Sequence, residues 1–107
     1  MSGAIPEHDW KIFRQLHGVW LDRYCTKVNK ETERLLSRSG LSPHEQYLKV
    51  YRFIHDKDRE LGSAFNDLRR STATFQIRVI KNLGVITDEE LSRFSEGTQK
   101  VLLEEWE

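Results

Sequence analysis

LSPHE, residues 41–45, decides the fold of this chain. Ser42 is a strong helix N-cap. Pro43 suits the first helical position, where its missing N–H would have gone unpaired anyway. Glu45 stands three residues after Ser42, close enough for its carboxylate to reach back to the cap. Just upstream, SRSG (37–40) ends in a glycine suited to a left-handed helix stop. One helix therefore ends and another begins within a few residues, and helices joined so tightly pack antiparallel.

Upstream of the turn, Trp10, Phe13, Leu16, Trp20, Leu21, Tyr24, Val28, Leu35 and Leu36 recur at helical spacing, which predicts a first helix over about 7–38. Glu7 and Asp9 suit its start, where negative charge meets the positive end of the helix dipole. Downstream, the pattern predicts a second helix over about 43–83, ending at Gly84. A regular stripe with spacings of four and three runs along it: Tyr47, Tyr51, Ile54, Asp58, Leu61, Phe65, Leu68, Thr72, Phe75, Val79 and Asn82. Such a stripe reads as the seam of a coiled coil or bundle. Leu48, Val50 and Phe53 form a second apolar stripe beside it. Gly62 lies off the seam and raises the question of whether the helix is continuous there.

Two further starts follow. Thr87 with Glu90 forms a second capping box, and Ser95 is placed to cap a last helix over about 96–106 carrying Val101, Leu102 and Trp106. No stretch shows strand alternation. The expectation is an all-α single domain, residues 1–107: a long antiparallel hairpin with short C-terminal helices. Both long helices carry more than one apolar stripe, so a homodimer is expected to complete the bundle.

With 37% hydrophobic and 32% charged residues, the chain is too apolar for disorder and too charged for a membrane protein. It has no apolar run of membrane-spanning length and no signal-like start, and Cys25 is its single cysteine. A cytoplasmic setting is expected. The 17 basic and 17 acidic residues balance, but the distribution is uneven: Asp88, Glu89, Glu104 and Glu105 belong to an acidic C-terminal region.

Chemistry-bearing motifs are few. No glutamate is followed by histidine three residues later, as carboxylate di-metal bundles require, and His8, His17, His44 and His55 are scattered. No Gly-rich phosphate loop, GxSxG or HExxH occurs. The pattern implies no catalytic residue, no metal and no cofactor. Arg69, Arg70, Arg78 and Lys81 could meet nucleic acid, but Asp67 is adjacent and the acidic tail offers nearer partners.

A hairpin centred near residue 40 places Asp58 opposite Arg23 and Tyr24, and His17 opposite about residue 64. Asp58, on the seam with His55 one turn away, is expected to pair with Arg23, Tyr24 or His55 as a buried polar cluster. The surplus apolar positions Trp20, Leu21, Phe75, Val79 and Leu83 form the expected interaction surface. The leading functional expectation is a non-enzymatic interaction or regulatory module. The alternatives are a ligand site or enzyme built on Tyr24, His55 and Asp58, and a nucleic-acid binder at the basic end of the second helix.

Overall fold

The computed structural model describes residues 5–104. Among the described residues five helices follow in order: α1 (Glu7–Leu36), α2 (Pro43–Phe65), α3 (Ala73–Asn82), α4 (Asp88–Leu91) and α5 (Glu96–Leu103). No strand occurs among the described residues. The expected all-α hairpin with short C-terminal helices is what the chain forms. Its principal extents are 54 × 27 × 24 Å and its radius of gyration is 16.9 Å, against about 13 Å for a compact domain of this length.

The turn forms as its residues dictate. The Glu45 N–H donates to Ser42 Oγ at 3.1 Å and the Ser42 N–H donates to Glu45 Oε1 at 2.9 Å. Gly40 takes φ +86°, the left-handed region that a side chain disfavours. Gln46 then donates to Leu36 O at 2.8 Å, closing one of the carbonyls that α1 leaves open at its end.

On α1, Phe13, Leu16, Trp20 and Tyr24 are buried at spacings of three and four, so one stripe of the helix faces the core. The core beneath them is built by α3 and the C-terminal turns: Ile77, Ile80, Val85, Phe94 and Leu102. It fills only the inner half of the hairpin, which explains the elongated shape. Toward the tip, α1 and α2 have only each other.

The second arm differs from the sequence expectation in two ways. Helix α2 runs straight through Gly62 but stops at Phe65, and residues 66–72 form a loop before α3 begins. Asn66 is extended, and Asp67 turns to φ +63°, a conformation that Asp tolerates better than most residues. The open end of α2 is closed from both sides. His17 donates to Phe65 O at 2.9 Å, and Gln76 donates to Ala64 O at 3.0 Å and to Asn66 O at 3.3 Å. Residues 75–83 therefore do not overhang a long helix. They fold back against α1 and α5, with Ile77 and Ile80 fully buried.

The second difference is rotation. Val50, Phe53, Lys57, Glu60 and Leu61 are half-buried and Ala64 is buried, whereas Tyr47, Tyr51, Ile54 and Asp58 are exposed. Between Tyr47 and Asp58 the face of α2 that meets α1 is thus turned by about one residue, or roughly 100°, from the predicted seam, whereas Leu61 and Phe65 of that seam do turn inward. Of the polar members of the true face, Glu60 serves as the acceptor that the buried Tyr24 hydroxyl needs. That hydroxyl donates to Glu60 Oε1 at 2.6 Å and lies 3.0 Å from Lys57 O.

The capping box at Thr87 forms on both sides, and Ser95 is the N-cap of α5. Trp106 and Glu105 lie outside the described residues.

Candidate functional site

The polar cluster expected from Arg23, Tyr24, His55 and Asp58 does not assemble. The axial level was right, since Tyr24 lies beside Lys57 and Glu60, but the side chains diverge. Asp58 is exposed and makes no hydrogen bond or ion pair within the described residues. His55 is exposed, stacked on Tyr51 with ring centroids 6.0 Å apart, and its Nδ1 lies 3.9 Å from Asp56. Burial raises the Tyr24 hydroxyl pKa above its ordinary value, and the Glu60 carboxylate adds to the shift.

Arg23 turns the other way, to Glu90. Its guanidinium makes two hydrogen bonds to that carboxylate, at 2.8 and 3.1 Å, and a third to Val85 O at 2.6 Å. Trp20 Nε1 donates to the same carboxylate at 3.1 Å, and so does the Thr87 N–H at 2.9 Å. Four donors on one buried carboxylate outweigh the cost of burying it, and the Arg23 bonds foremost hold its pKa down at about 2. Glu90 was legible as a capping residue. Its second role, as the receiver of a tryptophan and an arginine from α1, was not.

A similar knot joins the two ends of the chain. Asp9 is fully buried. Its carboxylate accepts from the Ser95 N–H at 2.8 Å, from Ser95 Oγ at 2.6 Å and from Thr98 Oγ1. Burial alone would raise the Asp9 pKa, but the hydrogen bonds from Ser95 and Thr98 prevail and it falls below its ordinary value. Ser95 makes no side-chain cap of its own, so Asp9 caps α5 from a distance. Both knots are architectural: each fixes a C-terminal helix to α1.

The expected interaction surface is largely used up. Trp20 lies in the core, and Leu21, Val79 and Leu83 are half-buried against it. Only Phe75 of that set is exposed. The basic end is also engaged: Arg69 pairs with Asp67 and Arg70 with Glu7, each at 2.9 Å, and Arg78 donates to Glu104 O at 3.0 Å.

Two other features face solvent. A cleft of about 340 Å³ lies between α1, α2 and the end of α3, lined by Tyr24, Lys27, Val28, Phe53, Lys57 and Glu60 among others. Within it Lys27 donates to Leu83 O at 2.9 Å, closing the end of α3. Around the edge of α2, a groove of about 190 Å³ is lined by Cys25, Val28, Asn29, Ile54, Asp58 and Leu61. Beyond it stands an aromatic ladder, in which Tyr47 stacks on Tyr51 at 6.4 Å and Tyr51 on His55. Tyr47 is 62% and Tyr51 57% exposed, with Ile54 and Leu36 also open nearby.

Among the described residues no group of three or more His, Cys, Asp or Glu side chains could hold a metal ion. No helix among them is long and apolar enough to cross a membrane. Geometry thus defines an all-α hairpin braced by three short helices, with an open aromatic face at its outer half. Comparison of the chain with protein-family models, curated protein sequences and solved structures returns no match.

Proposed function

We propose that this chain is a non-enzymatic helical interaction module that works in the cytoplasm and binds through the outer half of its hairpin. One observation carries the reading. The first four members of the heptad stripe in the sequence, Tyr47, Tyr51, Ile54 and Asp58, lie open to solvent beside a groove. Exposed tyrosines in a row are costly to keep in water and well suited to a contact, because each combines a large rigid apolar ring with a polar tip.

A photo-crosslinking residue in place of Tyr51, introduced in cells of the native source, tests this. A protein adduct at position 51, absent when the probe replaces the exposed Lys11, is the expected result. Absence of any adduct at position 51 would remove the reading.

The second reading, a small-ligand site, draws on the cleft beside Tyr24, whose volume falls at the low end of the range for ligand pockets (roughly 300–1,000 Å³). Its amines and carboxylates already bond within the fold, which is why it stands second. A thermal-shift screen in which hits are lost in Tyr24→Phe or Lys57→Ala would favour it. Nucleic-acid binding stands third, because the arginines at the basic end already have partners in the chain.

A further inference from the structure

We infer that the open stripe of α2 docks on the same stripe of a second copy of this chain, with the two α2 helices antiparallel. This rests on the reading of the outer hairpin as an interaction surface, and it names the occupant.

The argument lies in the four exposed positions. In heptad terms Tyr47 and Ile54 are d positions and Tyr51 and Asp58 are a positions, and antiparallel helices bring a of one chain against d of the other. Centring the pair between Tyr51 and Ile54 sets Tyr51 against Ile54 of the second copy. It also sets Tyr47 against Asp58 of the second copy. The first contact is apolar. The second brings a phenol donor to a carboxylate acceptor, and within the described residues of one chain neither group has a hydrogen-bond partner. Each chain supplies both halves of each contact, which is the self-complementarity that a two-fold interface demands. A parallel pair would instead press Asp58 against Asp58, two like charges in a partly dry seam. A different partner protein would need its own acceptor for Tyr47 and its own donor for Asp58. A second copy already has both. The net charge of zero leaves no long-range repulsion between copies.

The stripe is short, so the dimer is reversible rather than obligate. Beside it the groove formed with Cys25 and Asn29 of α1 extends the contact, and pairing the hairpins produces a four-helix arrangement.

Sedimentation equilibrium of the full chain over a wide concentration range is the test. The expected result is a monomer–dimer equilibrium. Tyr47→Glu, which sets a glutamate against Asp58 of the other copy, raises the dissociation constant by about tenfold or more. Adding Asp58→Lys to that variant restores the dimer to within about threefold, because a glutamate now meets a lysine. All these positions are exposed, and an unchanged urea midpoint at monomeric concentration verifies that each variant folds.

A chain that stays monomeric up to about 1 mM overturns the inference. So does a dimer indifferent to Tyr47→Glu, or one that the second substitution fails to rescue. A monomer whose adduct at position 51 joins a different protein overturns the second-copy inference alone and leaves the interaction reading standing.

Discussion

Glu90 is the residue on which most of the tertiary structure turns. It serves its own helix as the capping partner of Thr87 while receiving Trp20 and Arg23 from α1. Glu90→Ala removes the box and leaves the buried Trp20 N–H without an acceptor. Losing a cap costs about 1 kcal/mol and orphaning a buried donor about 1–3 kcal/mol, so a loss of about 3 kcal/mol is expected in urea denaturation. Arg23 adds less, since its side chain is 37% exposed and water can take over its bonds. The same carboxylate sets an acid limb. Its pKa falls on folding from its ordinary 4.5 to about 2, so the folded state binds that proton less readily than the unfolded chain does. Its contribution is complete above 4.5 and drains away as the pH falls toward 2. Asp9, also lowered, acts in the same direction. Stability plotted against pH should therefore drop on the acid side, and Glu90→Gln should flatten that drop relative to the native chain. An unchanged acid limb in the variant would show that Glu90 does not govern it.

At the scale of helices, two N-cap serines make an instructive pair. Ser42 caps its own helix in an exposed turn, and Ser42→Ala should cost about 1 kcal/mol, the ordinary worth of a cap. Ser95 makes no cap bond to the backbone of its own helix, and its hydroxyl and N–H both donate to Asp9 instead. Asp9→Ala should cost more than Ser42→Ala, about 2–3 kcal/mol, since it strips a buried acceptor from three donors at once. Loss of α5 protection in amide exchange should accompany it. Equal costs for the two variants would contradict the tertiary capping of α5.

These helices also show what a sequence discloses. Starts set by neighbours in the chain were legible: Ser42 with Glu45, Thr87 with Glu90, and the stops at Gly40 and Gly84. The division of the second arm was not, because residues 66–72 carry no proline or glycine and Leu68 keeps the stripe's spacing on the way to Phe75, with Thr72 its polar interruption. What ends α2 there comes from far away, in His17 and Gln76 closing its last carbonyls. Rotation of α2 was hidden for a related reason. Two stripes at helical spacing lie side by side, and the choice between them depends on where the Tyr24 hydroxyl finds Glu60. Asp58 was placed at the right height and on the wrong side.

Over the whole molecule, stability must be uneven. The inner half of the hairpin packs with α3, α5 and the turn after α3 into one core, and every residue of the largest buried set lies there: Trp20, Phe13, Ile77, Ile80, Leu102, Val85 and Asp9. The outer half, residues 28–36 of α1 and 43–54 of α2, has no fully buried side chain, and its apolar residues are half-buried or open. Regions with few buried contacts open locally at a fraction of the global free energy. Native-state hydrogen exchange should therefore find amides in residues 46–54 released by local opening, with little dependence on denaturant. Amides around Trp20, Ile77 and Ile80 should exchange only with global unfolding. The second-copy contact adds a condition to this gradient. Docking covers Tyr47 through Asp58, so protection of residues 46–58 should rise with protein concentration, while protection around Trp20, Ile77 and Ile80 rises only as far as dimerisation stabilises the whole fold. In Tyr47→Glu the concentration dependence should vanish and the gradient between the halves remain. Uniform protection along both arms at monomeric concentration would mean that the tip holds itself together without a partner, and the physical reason for an interface there would be gone.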